Sequence, residues 1–175
     1  GTLTYTTGTV ITTGSTLNIG AATTLNTNGI TWNNITATGA ITLGSNLTLT
    51  STLTVAAGTL SFVLGGFSLI STNANLTMGT SGTFTMPANQ TFKTLTTTAT
   101  STINGNTLTI TENILIGASS PISGTTTIIY AGTGTWTAGN SASFINNNLT
   151  INTAGTLTIS GIVYKQTGLF TYTSG

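Results

Sequence analysis

The chain has almost no charge. Its 175 residues include two Lys and one Glu (Lys93, Lys165 and Glu112), with no Asp, Arg, His or Cys. Charged residues are 2% of the total, against roughly 25% in an ordinary domain. Each absence removes a class of chemistry. One carboxylate cannot supply the acid–base pair of sugar hydrolysis. Without His, the usual base that activates Ser or Thr is missing. Metal sites need His, Cys or several carboxylates, which one chain of this composition cannot assemble. There is no GxxxxGK phosphate loop, and two isolated Lys make no basic field for nucleic acid. Without Cys no disulfide forms. The expectation is a protein that is not an enzyme and has no cofactor, metal or nucleic-acid partner. The apolar runs are short, as in Phe62-Val63-Leu64 and Ile128-Ile129-Tyr130. They fall far below the roughly 18 residues of a membrane helix, so no transmembrane segment is expected.

Thr, Asn, Ser and Gly take the place of charge. Hydrophobic residues are still 38% and spread along the whole length, so the chain can bury a core, which a disordered chain cannot. The length suits one domain, taken as residues 1–175. Thr, Asn, Ser and Gly are poor helix formers, whereas Thr, Ile and Val favour strands. The hydrophobic period is two. From Asn46 to Val55, Leu47, Leu49, Leu53 and Val55 fall on one side; Asn46, Thr48, Thr50, Thr52 and Thr54 fall on the other. That is a strand with one buried face and one face of hydroxyls. The short form recurs at Asn75-Leu76-Thr77-Met78, Thr107-Leu108-Thr109-Ile110, Asn148-Leu149-Thr150-Ile151 and Thr156-Leu157-Thr158-Ile159. Turn signals such as Asn28-Gly29, Gly65-Gly66 and Asn104-Gly105 separate the strands. The chain reads as all-β.

A parallel β-helix, or β-solenoid, of short strands fits this pattern best. Thr31-Trp32-Asn33-Asn34-Ile35 echoes Thr91-Phe92-Lys93-Thr94-Leu95 and Ser143-Phe144-Ile145-Asn146-Asn147. These spacings fit coils of about 20 residues, and eight or nine such coils would rise about 40 Å. No single register runs through 59–90. The alternatives are a pilin-like β-sandwich that exchanges the strand around Leu169 to Tyr172 with a neighbour, and an outer-membrane barrel. The barrel is disfavoured by an aromatic content of only 7%.

The two ends resemble each other. Residues 168–175 (GLFTYTSG) match residues 1–8 (GTLTYTTG) at five of eight positions. Self-similarity at a fixed offset marks repeat architectures, and the chain begins at Gly like an excised piece. One unit of a tandem or end-to-end array is therefore expected, with Tyr5, Leu169, Phe170 and Tyr172 at the junction between units. A near-neutral surface favours such self-association, because no like-charge repulsion opposes it. The run from Ile35 to Leu69, centred on NLTLTSTLTVAAGTLSF, resembles the repeats of right-handed parallel β-helix proteins found in bacterial surface adhesins and in virus or phage fibres. The resemblance implies an elongated extracellular protein on a cell or virion surface, structural or adhesive, with self-assembly and a host glycan or receptor as its partners. It transfers no site residues.

Four features invite a functional reading. Lys93, Glu112 and Lys165 could support an intramolecular isopeptide crosslink, although solvated surface charges or one ion pair between adjacent coils is the plainer expectation. Thr-x-Thr recurs at Thr48-Leu49-Thr50, Thr52-Leu53-Thr54, Thr107-Leu108-Thr109 and Thr135-Trp136-Thr137. Rows of hydroxyls and methyls on one flat solenoid face would bind ice, but the irregular spacing of the motif argues against such a row, and strand alternation alone produces it. Five Asn-x-Ser/Thr sequons occur, at Asn34, Asn46, Asn75, Asn89 and Asn148; Asn34 and Asn89, near presumed turns, are the better glycan acceptors. Trp32, Trp136, Tyr5, Tyr130, Tyr164 and Tyr172 could stack on sugars, though such aromatics more often fill a core. The expected function is a structural unit of an extracellular fibre or filament, with an ice-binding or glycan-binding solenoid as the alternative.

Overall fold

A computed structural model of the chain describes residues 1–140, 142–143, 145–161 and 168–174. Among these there is no helix. Every strand pairing is parallel, and the strands stack as a β-solenoid of about 8 turns. Parallel pairing rules out the sandwich and the barrel, which are built from antiparallel neighbours.

Each turn contributes to three rows of strands. Row A is a sheet of seven: Thr2–Thr4, Thr23–Asn26, Ile41–Leu43, Thr59–Val63, Thr83–Met86, Ser101–Gly105 and Ile122–Ser123. Rows B and C share a sheet of 12 strands. Several of its strands are long enough to serve both rows, among them Thr31–Ala37, Leu47–Val55, Gln90–Thr97 and Thr107–Ile116. The first half of each lies in row B and the second in row C. Near the ends the rows are separate strands, such as Thr127–Tyr130 and Gly134–Ala138, which both pair with Thr107–Ile116.

The period-two pattern becomes columns. Leu17, Ile35, Leu53, Leu76, Leu95, Ile114, Trp136 and Ile159 follow one another down the inside of row C, turn on turn. From Ile35 to Trp136 these are at most 4% exposed. Phe92, Ile110, Tyr130 and Ile151 do the same in row B. Burial of such side chains contributes about 1.5–3 kcal/mol each, and this replaces the charges and disulfides the chain lacks. Phe84 sits edge-on between Phe62 (6.1 Å between ring centres) and Phe92 (6.4 Å), so aromatic packing links rows A and B at the middle turns.

Polar groups inside are tied to neighbouring turns. The fully buried Tyr130 donates its hydroxyl to the Glu112 carbonyl at 2.7 Å. Asn147 Nδ2 donates to the carbonyls of Thr126 (3.0 Å) and Ile103 (3.1 Å), spanning two preceding turns. Gly105 has φ +104°, and a Cβ there would lie 2.1 Å from the Met86 carbonyl oxygen on the turn before. Only glycine accommodates that backbone and that approach together.

The sequence echoes divide. Trp32 to Ile35 and Phe92 to Leu95 occupy the same place in the coil, each with a register shift where row B passes to row C. The third echo does not. Ile145 bridges to Ile122 of row A, and Phe144 lies outside the described residues. The end-to-end echo also falls on different rows: Thr2–Thr4 pairs in row A, and Phe170–Ser174 pairs in row B. The two matching segments are therefore not equivalent positions of the coil.

Candidate functional surfaces

Row C presents a two-rank polar face. The outward residues on one side of its inner column are Thr16, Asn34, Thr52, Asn75, Thr94, Asn113, Thr135 and Thr158. On the other side they are Asn18, Thr36, Thr54, Thr77, Thr96, Leu115, Thr137 and Ser160. The register holds without a slip across all eight strands. The irregular spacing in sequence arises elsewhere. The steps are 18 residues from Leu17 to Ile35 and from Ile35 to Leu53, 23 from Leu53 to Leu76, and 19 from Leu76 to Leu95. The extra residues between Leu53 and Leu76 lie in the connections around Gly65-Gly66 and Thr72-Asn73, outside the row C strands. The expectation that irregular spacing would break up a Thr face is thus overturned. The sequence motif itself mixes surfaces: Thr52 and Thr54 face out of row C, but Thr48 of the same strand belongs to row B, where it pairs with Thr31.

Thr36, Thr54, Thr77, Thr94 and Thr96 make no side-chain hydrogen bond to another described residue, which leaves their hydroxyls to water. Thr137 and Ser160, on adjacent turns, share a bond of 3.2 Å. Row B is less regular: Ile70 follows Thr48 but its strand pairs on that side alone, and Ile129 stands between Thr109 and Thr150.

The charges form an ion pair. Lys93 Nζ lies 3.4 Å from Glu112 Oε1 on the next turn, with the two side chains 39% and 47% exposed. This is the solvated pair between adjacent coils, and a pair so exposed contributes little. Lys165 and Tyr164 lie outside the described residues. Among the described residues no three metal-ligating side chains cluster.

The sequons fall into two settings. Asn34 is half-buried within Thr31–Ala37, and its Nδ2 donates to the Ser15 carbonyl at 3.2 Å. Its position is in a strand, not at a turn. Asn89 is exposed just before Gln90–Thr97, and its Oδ1 accepts from Thr107 N–H at 3.0 Å. Asn46 and Asn148 do the same toward Ser68 (2.9 Å) and Leu169 (3.0 Å). These three are corner residues that bond one turn to the next, and their shared role was hidden in the recurring Asn-x-Thr at strand starts.

The aromatics mostly face inward. Tyr130 and Trp136 are core residues and offer no face to a sugar, whereas Trp32 is half-buried against the core and borders an open recess of about 150 Å³ with Tyr5. Tyr5 and Tyr172 lie at opposite ends of the stack. Tyr5 donates its hydroxyl to the Gly8 carbonyl. Leu169, Phe170 and Tyr172 are 67%, 51% and 61% exposed. Phe170 and Tyr172 continue the inner columns of Leu149 and Ile151 and border an open recess of about 390 Å³ with Leu157 and Ile159. The four junction residues are thus not brought together within one chain. The chain matches no protein-family model, no curated protein and no solved structure in such comparisons.

Proposed function

We propose that the chain is a structural segment of an extracellular fibre or surface appendage, acting as a stiff spacer on a cell or virion. One observation carries the reading: parallel turns stack about 8 times, and the row C ladder runs unbroken over eight strands. Its outside is nearly free of charge. A stack of this kind resists bending and proteolysis because each backbone group is bonded to the turns on either side.

Self-association along the stack axis belongs to this reading. Ile11, Leu169, Phe170 and Tyr172 are exposed on the first and last turns, where a further coil of the same cross-section would cover them. A coil that pairs heterologously, head to tail, builds an open filament. The inventory of side chains supports a mechanical role over a catalytic one.

Negative-stain microscopy and sedimentation across a concentration series test the reading. Thin filaments of constant width, growing with concentration, are expected. A compact monomer at every concentration would overturn it.

A further inference from the structure

We propose that the two-rank face of row C binds ice. The proposal does not depend on filament formation, because one chain already carries the whole face.

The argument begins with spacing. Outward residues on one strand are two positions apart, about 6.6 Å, and successive turns are about 4.8 Å apart. These two repeats lie close to those of oxygen atoms on faces of hexagonal ice, so water held at each hydroxyl falls near a lattice position of the crystal. A twisted sheet would lose that match after a few strands. Row C keeps its register over eight strands, from Thr16–Ile19 to Leu157–Gly161, so the outward residues of successive turns stand one above another; the proposal takes this stack to be untwisted, as laddered sheets are.

The chemistry of threonine follows. Each side chain offers a hydroxyl to bond water and a methyl group around which water must form a cage. Thr36, Thr54, Thr77, Thr94 and Thr96 spend none of their hydroxyls on other described protein groups. A β-branched residue has restricted freedom at χ1, and the column behind these residues, including Leu53, Leu76 and Leu95, is fully buried. The face is therefore fixed before ice arrives, and little side-chain freedom is lost on binding. An ion on this face would impose its own hydration shell; none is present in either rank. Strand propensity explains why Thr faces outward; in row C an apolar residue enters the two ranks once, at Leu115, whereas row B carries Ile70 and Ile129 on its outer side.

The test uses the full chain, a nanolitre osmometer and slow freezing around a cold finger. Wild-type protein should hold an ice crystal unchanged over a temperature gap and be taken up into the growing ice. The double variant Thr54→Tyr, Thr77→Tyr disrupts the middle of the face without touching the core and should lose both effects. Thr109→Tyr with Thr150→Tyr, on row B, should keep them; circular dichroism confirms that both variants fold. Exclusion of wild-type protein from ice, at the level of an inert protein, would overturn the proposal. Equal activity of the row C variant would also overturn it, as would retention on crystalline cellulose in place of ice.

Discussion

Phe84 gives the sharpest test of how the turns hold together. Its ring is fully buried and packs edge-on against Phe62 and Phe92 at 6.1 and 6.4 Å. Phe84→Ala removes the ring from a stack whose backbone cannot collapse inward, because ladders on both sides hold the strand. Phe→Ala in such a core costs about 3–5 kcal/mol. At roughly 2–4 °C per kcal/mol for a chain of this size, Tm should fall by about 6–20 °C. The neighbour Thr85 points outward, so Thr85→Ala should change stability by less than about 0.5 kcal/mol. Urea unfolding followed by circular dichroism measures both. In a solenoid each turn contacts only its neighbours, so Phe84→Ala should also lower the cooperativity of unfolding, with the turns on either side separating into two transitions. A cost below about 1 kcal/mol for Phe84→Ala, or equal costs for the two variants, would refute the inward–outward assignment on which the whole fold rests.

Three further outcomes follow from named contacts. Tyr130→Phe removes the hydroxyl bonded to the Glu112 carbonyl and should cost about 1 kcal/mol in the same urea assay. Burial raises the Tyr130 pKa above its ordinary 10.0. The folded state therefore holds the phenol proton more tightly than the unfolded state, and stability falls as pH rises past about 10; in a pH series of Tm, Tyr130→Phe should flatten that decline. Gly105→Ala places a methyl against the Met86 carbonyl at positive φ and should destabilise by more than about 1 kcal/mol by calorimetry. Lys93→Met breaks the exposed pair with Glu112 and should lower stability in the urea assay by less than about 1 kcal/mol, a difference that shrinks further as salt is raised.

The fold was legible because its causes are local. Alternation of Leu and Thr from Leu47 to Val55 forces one face in and one out wherever the strand lies. Glycine and asparagine mark the turns, and a composition poor in helix formers leaves no competitor. The equivalence of Trp32 and Phe92 was legible too, since a large aromatic just before the shift from row B to row C recurs at the same place. What failed were inferences that needed the number of residues per turn. Residues 59–90 carry extra residues in connections, and these changed the sequence spacing without moving any row C strand out of register, although in row A Thr59–Val63 pairs with its two neighbours through different ends. The same insertions made the Thr-x-Thr motifs look scattered, and the similar residues 1–8 and 168–175 looked equivalent although Thr2–Thr4 and Phe170–Ser174 pair in different rows.

By itself, then, the sequence determined the alternation, the all-β class and the coil of about 20 residues, because each depends on residue type and near neighbours. Only the tertiary structure decided which threonines share a surface. That depends on how each turn is laid on the one before, and backbone hydrogen bonds between turns set it through contacts some 20 residues apart, as where Thr54 meets Thr36 on one side and Thr77 on the other.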